Sequence, residues 1–137
     1  CMDDHEFTDS EMQEKGKLSD VAARAVLKCL YLASGARPDI LWTVNLLARN
    51  VTKWTKACDR RMERFISYTH RAKDHIHFNY VGNNVEDCCL ALFQDASFAG
   101  DLKYSKSTSG GVLCLIGSHT YVTLAWTCKK ADGYIVL

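Results

Sequence analysis

The feature that most constrains this 137-residue chain is a change of hydrophobic period at about Ile76. Before it, apolar side chains recur at helical spacing; after it, they alternate. The two periods send side chains to different faces, so one pattern cannot stand in for the other. The chain is therefore expected to be α+β, with helices first and a small sheet after. Ala22, Ala25, Val26, Cys29, Leu30, Leu32 and Ala33 predict a helix over residues 20–34, with Ser19 as its N-cap. Gly35 is a candidate left-handed stop. Pro38 suits the first turn of a second helix running to Lys53, with Ile40, Leu41, Val44, Leu47, Ala48 and Val51 as its stripe. A third helix over 55–74 turns Cys58, Met62, Phe65, Ile66 and Thr69 inward and carries Arg60, Arg61, Arg64, Arg71 and Lys73 elsewhere.

In the alternating half, residues 76–80 read as a strand and Gly82-Asn83-Asn84 as a turn. Residues 88–95 read as a buried strand. It places Cys89, Ala91, Phe93 and Asp95 on one face and Leu90, Leu92 and Gln94 on the other. A loop of about 14 residues follows, a length more often functional than not. Residues 111–116 and 121–126 are two further strands, joined at Gly117-Ser118 by a type II′ turn. Together the last three strands make an antiparallel meander.

Charge is unevenly spread. Net charge is +1, yet residues 1–20 hold seven acids against Lys15 and Lys17, while residues 21–80 hold eleven Lys and Arg against four acids. The acidic start is expected to be a disordered or loosely docked lead-in. The basic middle is compatible with a polyanion partner, but charge alone favours the simpler reading of solvated helix faces. Seven cysteines without a C-x-x-C pair give no zinc framework. With no signal peptide they imply reduced thiols and an intracellular protein. No apolar run approaches the ~20 residues that span a membrane, so no membrane partner is expected.

Two groups of residues say more than periodicity does. Asp95-Ala96-Ser97-Phe98-Ala99-Gly100-Asp101 is followed by Lys106-Ser107-Thr108-Ser109-Gly110. Upstream stand Tyr31-Leu32-Ala33, Arg37-Pro38-Asp39-Ile40 and Leu47-Ala48-Arg49, in that order. The first group resembles the ribonuclease H domain of copia-type retrotransposon Pol polyproteins. The second resembles the segment that connects polymerase to nuclease in the same family. Composition sets residues 1–18 apart as the acidic lead-in; the resemblance makes 19–75 a helical connection region and 76–137 an incomplete ribonuclease H-like meander.

The family's reaction is two-metal hydrolysis of the RNA strand of an RNA–DNA hybrid, with Mg²⁺ held by hard oxygen ligands. Asp95 matches the first carboxylate of that site, so the resemblance makes it the expected catalytic residue and metal ligand. After Trp126 the family runs through two lysines to a Gln and an S-S-x-E-A-E helix. Here Lys129-Lys130 match, the sequence then departs, and no Glu follows Glu86. The expectation is a truncated domain, inactive by itself, that does not hold Mg²⁺ stably.

Lys106, Ser107, Thr108 and Ser109 are expected either to donate hydrogen bonds to phosphates or only to shape the loop as an ST-turn. Arg60 and Arg64 are expected to track a nucleic-acid backbone. Arg37 and Asp39 read as a turn-and-cap device, Trp42 and Trp126 as core, and His70, His75 and His77 as surface or strand histidines. The implied partners are an RNA–DNA hybrid or other nucleic acid and the remainder of the Pol polyprotein. The alternative is a non-catalytic nucleic-acid-binding or protein-interaction module, or a decayed pseudogene product. One face of the sheet is expected to lie open, exposing some of Phe93, Leu113, Leu115, Val122 and Leu124, with the third strand an unprotected edge.

Overall fold

Alanine and leucine dominate residues 22–35, and the single glycine stands last, so local preference there is helical. In the computed structural model, which describes residues 6–101 and 106–130 (backbone alone at 97–101, 106, 107 and 130), this stretch is α2 (Ala22–Gly35). It follows α1 (Asp9–Gln13) and precedes α3 (Leu41–Ala48) and α4 (Lys56–Arg71). The sheet is β1 (Cys89–Asp101), β2 (Lys106–Gly117) and β3 (Thr120–Lys130). The chain divides into two compact units, Cys1–Ile76 and His77–Leu137.

The helical unit closes on an apolar core. Val26 and Ala33 of α2 are buried, as are Ile40, Val44 and Leu47 around α3 and Ala57, Met62 and Phe65 of α4. Burying a side chain such as Leu or Phe contributes about 1.5–3 kcal/mol, so these contacts dominate the unit's stability. Pro38 opens a 3₁₀ turn, Pro38–Ile40, that runs into α3. Its missing N–H costs nothing there.

Several details differ from the sequence reading. Val21, not Ser19, is the N-cap of α2, and Ser19 donates to the Asp20 carboxylate at 3.2 Å. Gly35 is the last helical residue, so no left-handed glycine stops the helix. The second helix ends at Ala48 rather than Lys53, because Asn50 turns its side chain back to the Leu46 carbonyl (2.9 Å) and competes for the helical bonds. Trp42 is 42% exposed and Ile66 54%, so neither is core; the stripe that faces inward on α4 runs through Cys58, Met62 and Phe65.

The described part of the lead-in, from residue 6, is structured. Thr8 and Glu11 form a capping box: the Thr8 hydroxyl accepts from Glu11 N–H (3.3 Å), and the Glu11 carboxylate accepts from Thr8 N–H (3.0 Å). The acidic lead-in was expected to be disordered or loosely docked; in the structure Glu6, Glu11 and Glu14 meet cations of α4.

The sheet unit is the expected antiparallel meander, in the order β1-β2-β3. The expected loop after Asp95 is largely paired ribbon, with Ala96 opposite Ser109 and Ser97 opposite Thr108. Two-residue alternation needs no apolar signal to continue when backbone pairing continues, so composition concealed it. The β2–β3 turn is Ser118-His119, flanked by the Gly117–Thr120 pair, one residue later than expected. Gly117 is needed for close approach: a Cβ there would lie 2.7 Å from Asn83 Oδ1.

Residues 76–80 are not a strand. Only Tyr80 pairs, through reciprocal bonds with Tyr121 (2.8 and 2.9 Å). Its neighbours cover the start of the β3 edge, which was expected to be unprotected, as far as Thr123. Asn79 Oδ1 accepts from Thr123 N–H (2.9 Å). Thr120 Oγ1 accepts from the N–H groups of Gly82 (3.0 Å) and Asn83 (2.9 Å). Asn83 Oδ1 accepts from His119 N–H (2.6 Å).

Pairing fixes which residues share a face. Leu90, Leu92, Leu113, Leu115 and Val122 lie together on one side; Phe93, Asp95, Val112, Cys114 and Trp126 lie on the other. A bulge sets Leu124 between the paired residues Thr123 and Ala125. Leu90, Leu92, Phe93 and Leu124 are exposed, whereas Leu113, Leu115 and Val122 are half-buried.

Candidate nucleic-acid interface

The residues singled out for function fall in two places, one in each unit. On the sheet, Asp95 sits in the middle of β1, exposed, opposite Gly110 of β2. Gly110 in turn pairs with Cys128 of β3. Glycine at this position leaves space beside the carboxylate: the nearest atoms to a Cβ there are the Thr127 and Asp95 carbonyl oxygens, at 3.9 and 4.0 Å. A strand rather than a loop thus presents Asp95 to solvent.

The alternation of β2 separates the proposed phosphate donors. Thr108 pairs with Ser97 and so shares a face with Asp95, while Ser109 pairs with Ala96 and Lys129 on the opposite face. Both are half-buried. Lys106 and Ser107 belong to β2, and their side chains lie outside the described residues. The backbone of all four thus belongs to a strand rather than a loop.

Near the same face, His77 and Trp126 stack at 5.9 Å with their rings tilted by 46°, and His77 Nε2 lies 3.1 Å from the Thr123 hydroxyl. This gives His77 a packing role on the sheet. Tyr121 is held above the usual tyrosine range by its hydrogen bond with the Cys114 thiol.

Among the described residues, no group of three or more His, Cys, Asp or Glu could hold a metal ion. A pair of Mg²⁺ ions needs several hard oxygen ligands, and Asp95 is the one described carboxylate on the three strands. The residues described do not fit a two-magnesium centre.

On the helical unit, α4 presents Lys56, Arg60 and Arg64 at four-residue intervals, hence along one side. Each meets an acid of the lead-in: Lys56 pairs with Glu14, Arg60 with Glu11 (2.8 Å) and Arg64 with Glu6 (3.7 Å). The Glu11 carboxyl is held below the usual range by the Thr8 N–H and then by Arg60, and that of Glu14 by Lys56 and then Ser10. Lys56 is correspondingly raised, chiefly by its bond to Glu14. Arg60 and Arg64, the helix cations singled out from the sequence, thus lie on one stripe, and both are already engaged.

Beside this stripe, Asp39, Arg61, Arg64 and Tyr68 line a cleft of about 420 Å³. Arg37 grips Asp39 with two bonds (2.9 and 2.7 Å), and the Tyr68 hydroxyl donates to the same carboxylate (2.9 Å). The third Arg37 contact is the Ala72 carbonyl at the end of α4 (3.1 Å). This holds the Asp39 carboxyl below its usual range, first through Arg37. Arg37 and Asp39 are thus a device that ties the turn before α3 to α4.

Sequence reasoning missed the partners of these groups. Two signals could have found the first of them: the Thr8-x-x-Glu11 spacing of a capping box, and the contrast between an acidic start and a basic middle. Nothing local in the sequence announces Tyr68 or the Asn83 clamp.

Over most of its length the chain resembles retrovirus-related Pol polyproteins, the class to which residues 31–49 and 95–110 pointed. It is 29% identical over 120 residues, 87% of the chain, to the Pol polyprotein from transposon RE1 of Arabidopsis thaliana. It is 29% identical over 112 residues, 82% of the chain, to that from transposon RE2 of the same plant. The chain spans only 8% and 7% of those relatives' lengths. No family model and no solved structure matches it. Among the described residues, no helix is long and apolar enough to cross a membrane.

Proposed function

We propose that this chain is the connection region and the first strands of a ribonuclease H domain from a retrotransposon polyprotein. In this reading it binds an RNA–DNA hybrid through charge and does not cleave it alone. The observation that supports this best is Asp95, solvent-facing at the centre of β1 with a glycine opposite it, in the motif where the family carries its first carboxylate. Its partners would be the hybrid and the remainder of the polyprotein. Two Mg²⁺, when held by a full ligand set, would supply the activated water and stabilise the leaving oxygen; the described residues do not provide that set, so no hydrolytic step is assigned to them.

What the chain's own residues offer is positioning. Phosphate contacts by lysine and arginine are sequence-independent and salt-sensitive. Lys56, Arg60 and Arg64 on α4 supply such charges, and Thr108 on the Asp95 face supplies a hydroxyl. A second reading, a protein-interaction module, is favoured by the exposed Leu90 and Leu92 on one sheet face.

Fluorescence anisotropy with an RNA–DNA hybrid, at two salt concentrations and with or without Mg²⁺, tests the proposal when the same samples are run on a denaturing gel. The expected result is binding that weakens with salt and leaves the RNA strand intact. Mg²⁺-dependent cleavage abolished by Asp95→Asn would overturn the inactive state, and absence of binding at low salt would overturn the nucleic-acid role.

A further inference from the structure

The contact between the lead-in and α4 is built unlike the rest of the helical unit. Glu14, Glu11 and Glu6 meet Lys56, Arg60 and Arg64 one helical turn at a time. The Phe7 ring lies beneath two guanidinium groups, 5.3 Å from Arg60 and 4.7 Å from Arg61. The helix between these contacts, α1, contains no buried residue. Charge and one aromatic ring hold residues 6–14, with little apolar burial behind them.

The next residues are fixed by other means. Gly16 N–H donates to the Trp54 carbonyl (3.0 Å), and Lys56 N–H donates to the Glu14 carbonyl (3.0 Å). A Cβ on Gly16 would stand 2.5 Å from the Thr55 carbonyl oxygen. The N–H groups of Lys17 and Leu18 both end on the Asp59 carboxylate, at 2.6 and 3.1 Å, and Trp54 Nε1 donates to it as well (2.7 Å). The segment is pinned by backbone bonds from the Glu14 carbonyl to residue 18, and before that it is held by side-chain charge and the Phe7 ring.

We infer that residues 6–14 are a built-in polyanion mimic: they mask the basic stripe of α4, and a phosphate backbone gains that stripe by displacing them. The inference rests on the nucleic-acid reading above and adds its regulation. Each exposed ion pair is individually weak and screened by salt. A nucleic-acid backbone offers closely spaced charges and gains from counterion release, so it competes with three carboxylates for the same cations. The anchor at Gly16 keeps the displaced segment tethered, and its high local concentration restores the mask when the polyanion leaves.

The test compares the full chain with the Glu6→Gln, Glu11→Gln, Glu14→Gln variant. Glutamine at position 11 preserves the capping box, and thermal unfolding checks that the variant remains folded. Anisotropy with an RNA–DNA hybrid at low salt is expected to show roughly tenfold tighter binding by the variant. In the unsubstituted chain, hydrogen exchange at the Met12 and Glu14 amides, bonded within the lead-in to Thr8 and Ser10 carbonyls, is expected to accelerate on adding the hybrid. Phe7→Ala, which keeps all three acids, is expected to shift affinity the same way by a smaller factor. Equal affinities together with unchanged exchange at Met12 and Glu14 would overturn the masking. If hybrid binds neither protein, inorganic polyphosphate separates the two ideas. Tighter polyphosphate binding by the variant would keep the mask and refute the nucleic-acid reading, whereas equal polyphosphate binding would refute the mask too.

Discussion

The helical unit and the sheet unit spend similar apolar sequence in different ways. In the first, Ile40, Val44, Leu47, Ala57 and Phe65 come from three elements and shut water out between them. In the second, three paired strands satisfy their backbones, yet Cys114 and Thr120 are the only buried side chains among its described residues. Hydrogen bonding alone can order a sheet. Burying its side chains takes a second layer, because each strand turns alternate residues to opposite faces. The difference teaches that the stability of one unit is a matter of packing and that of the other a matter of polar clamps.

The largest test of this contrast lies in the helical core. Leu47→Ala, at a site 1% exposed, is expected to cost about 2–5 kcal/mol through lost burial and a residual cavity. The loss should appear as a lower thermal midpoint for helical ellipticity. Amide protection at β2–β3 positions such as Cys114 and Val122 should change far less, because those residues belong to the other unit. Equal loss of protection in both units would merge them into one cooperative body.

The sheet should instead be broken at a polar group. Thr120 is 3% exposed, and its hydroxyl receives two backbone N–H groups. Thr120→Val keeps the shape and removes the acceptor, leaving Gly82 and Asn83 N–H unmatched at an expected cost of about 2 kcal/mol. Hydrogen exchange at those two amides and at Tyr121 should accelerate together. Thr120→Ser should retain most of the protection. If valine proves neutral, the clamp is ornamental and the pairing of β2 with β3 suffices.

A smaller effect is expected from acid. Asp39 is held below its usual range by Arg37 and then by Tyr68; Glu11 and Glu14 are lowered too, by the Thr8 N–H and by Lys56 respectively. A carboxyl lowered in the folded state stabilises it above the unfolded value, about 4, and loses that contribution as pH falls through the folded value. Stability of the helical unit should therefore be flat near neutrality and decline below about pH 4. Asp39→Asn should flatten part of the decline in a urea titration followed by helical ellipticity.

How much of this was legible can be argued from particular residues. Val44 and Leu47 announced themselves, since helical spacing and apolar type agree with burial. The three strands were visible from apolar runs such as Val112-Leu113-Cys114-Leu115, which have no polar break, although of these four only Cys114 is buried. Asp95 stood out by its motif, and its place on β1 followed from the strand before it. The extension of β1 and β2 past Asp95 was hidden, because Ser97, Thr108 and Ser109 pair by backbone and carry no hydrophobic signal. The pairing of Glu11 with Arg60, 49 residues apart, and the reach of Asn83 to His119 are tertiary events. Local sequence supplies the groups and not the distance between them.

The smallest effect should come from the open face. Leu90 and Leu92 of β1 are 65% and 59% exposed, on the side of the sheet that also carries half-buried Leu113 and Leu115 of β2. Substitution at a site this exposed usually changes stability by no more than about 0.5 kcal/mol. Leu92→Lys should thus leave the urea midpoint nearly unchanged, in contrast with Leu47→Ala. Its effect should appear between molecules instead. Neighbouring exposed leucines on a strand form an apolar surface that favours association, and a lysine there opposes it. Sedimentation velocity over a concentration series should show less self-association for Leu92→Lys than for the unsubstituted chain. A large fall in the urea midpoint would mean that Leu92 is packed within the monomer and that the sheet is stabilised, like the helices, by burial.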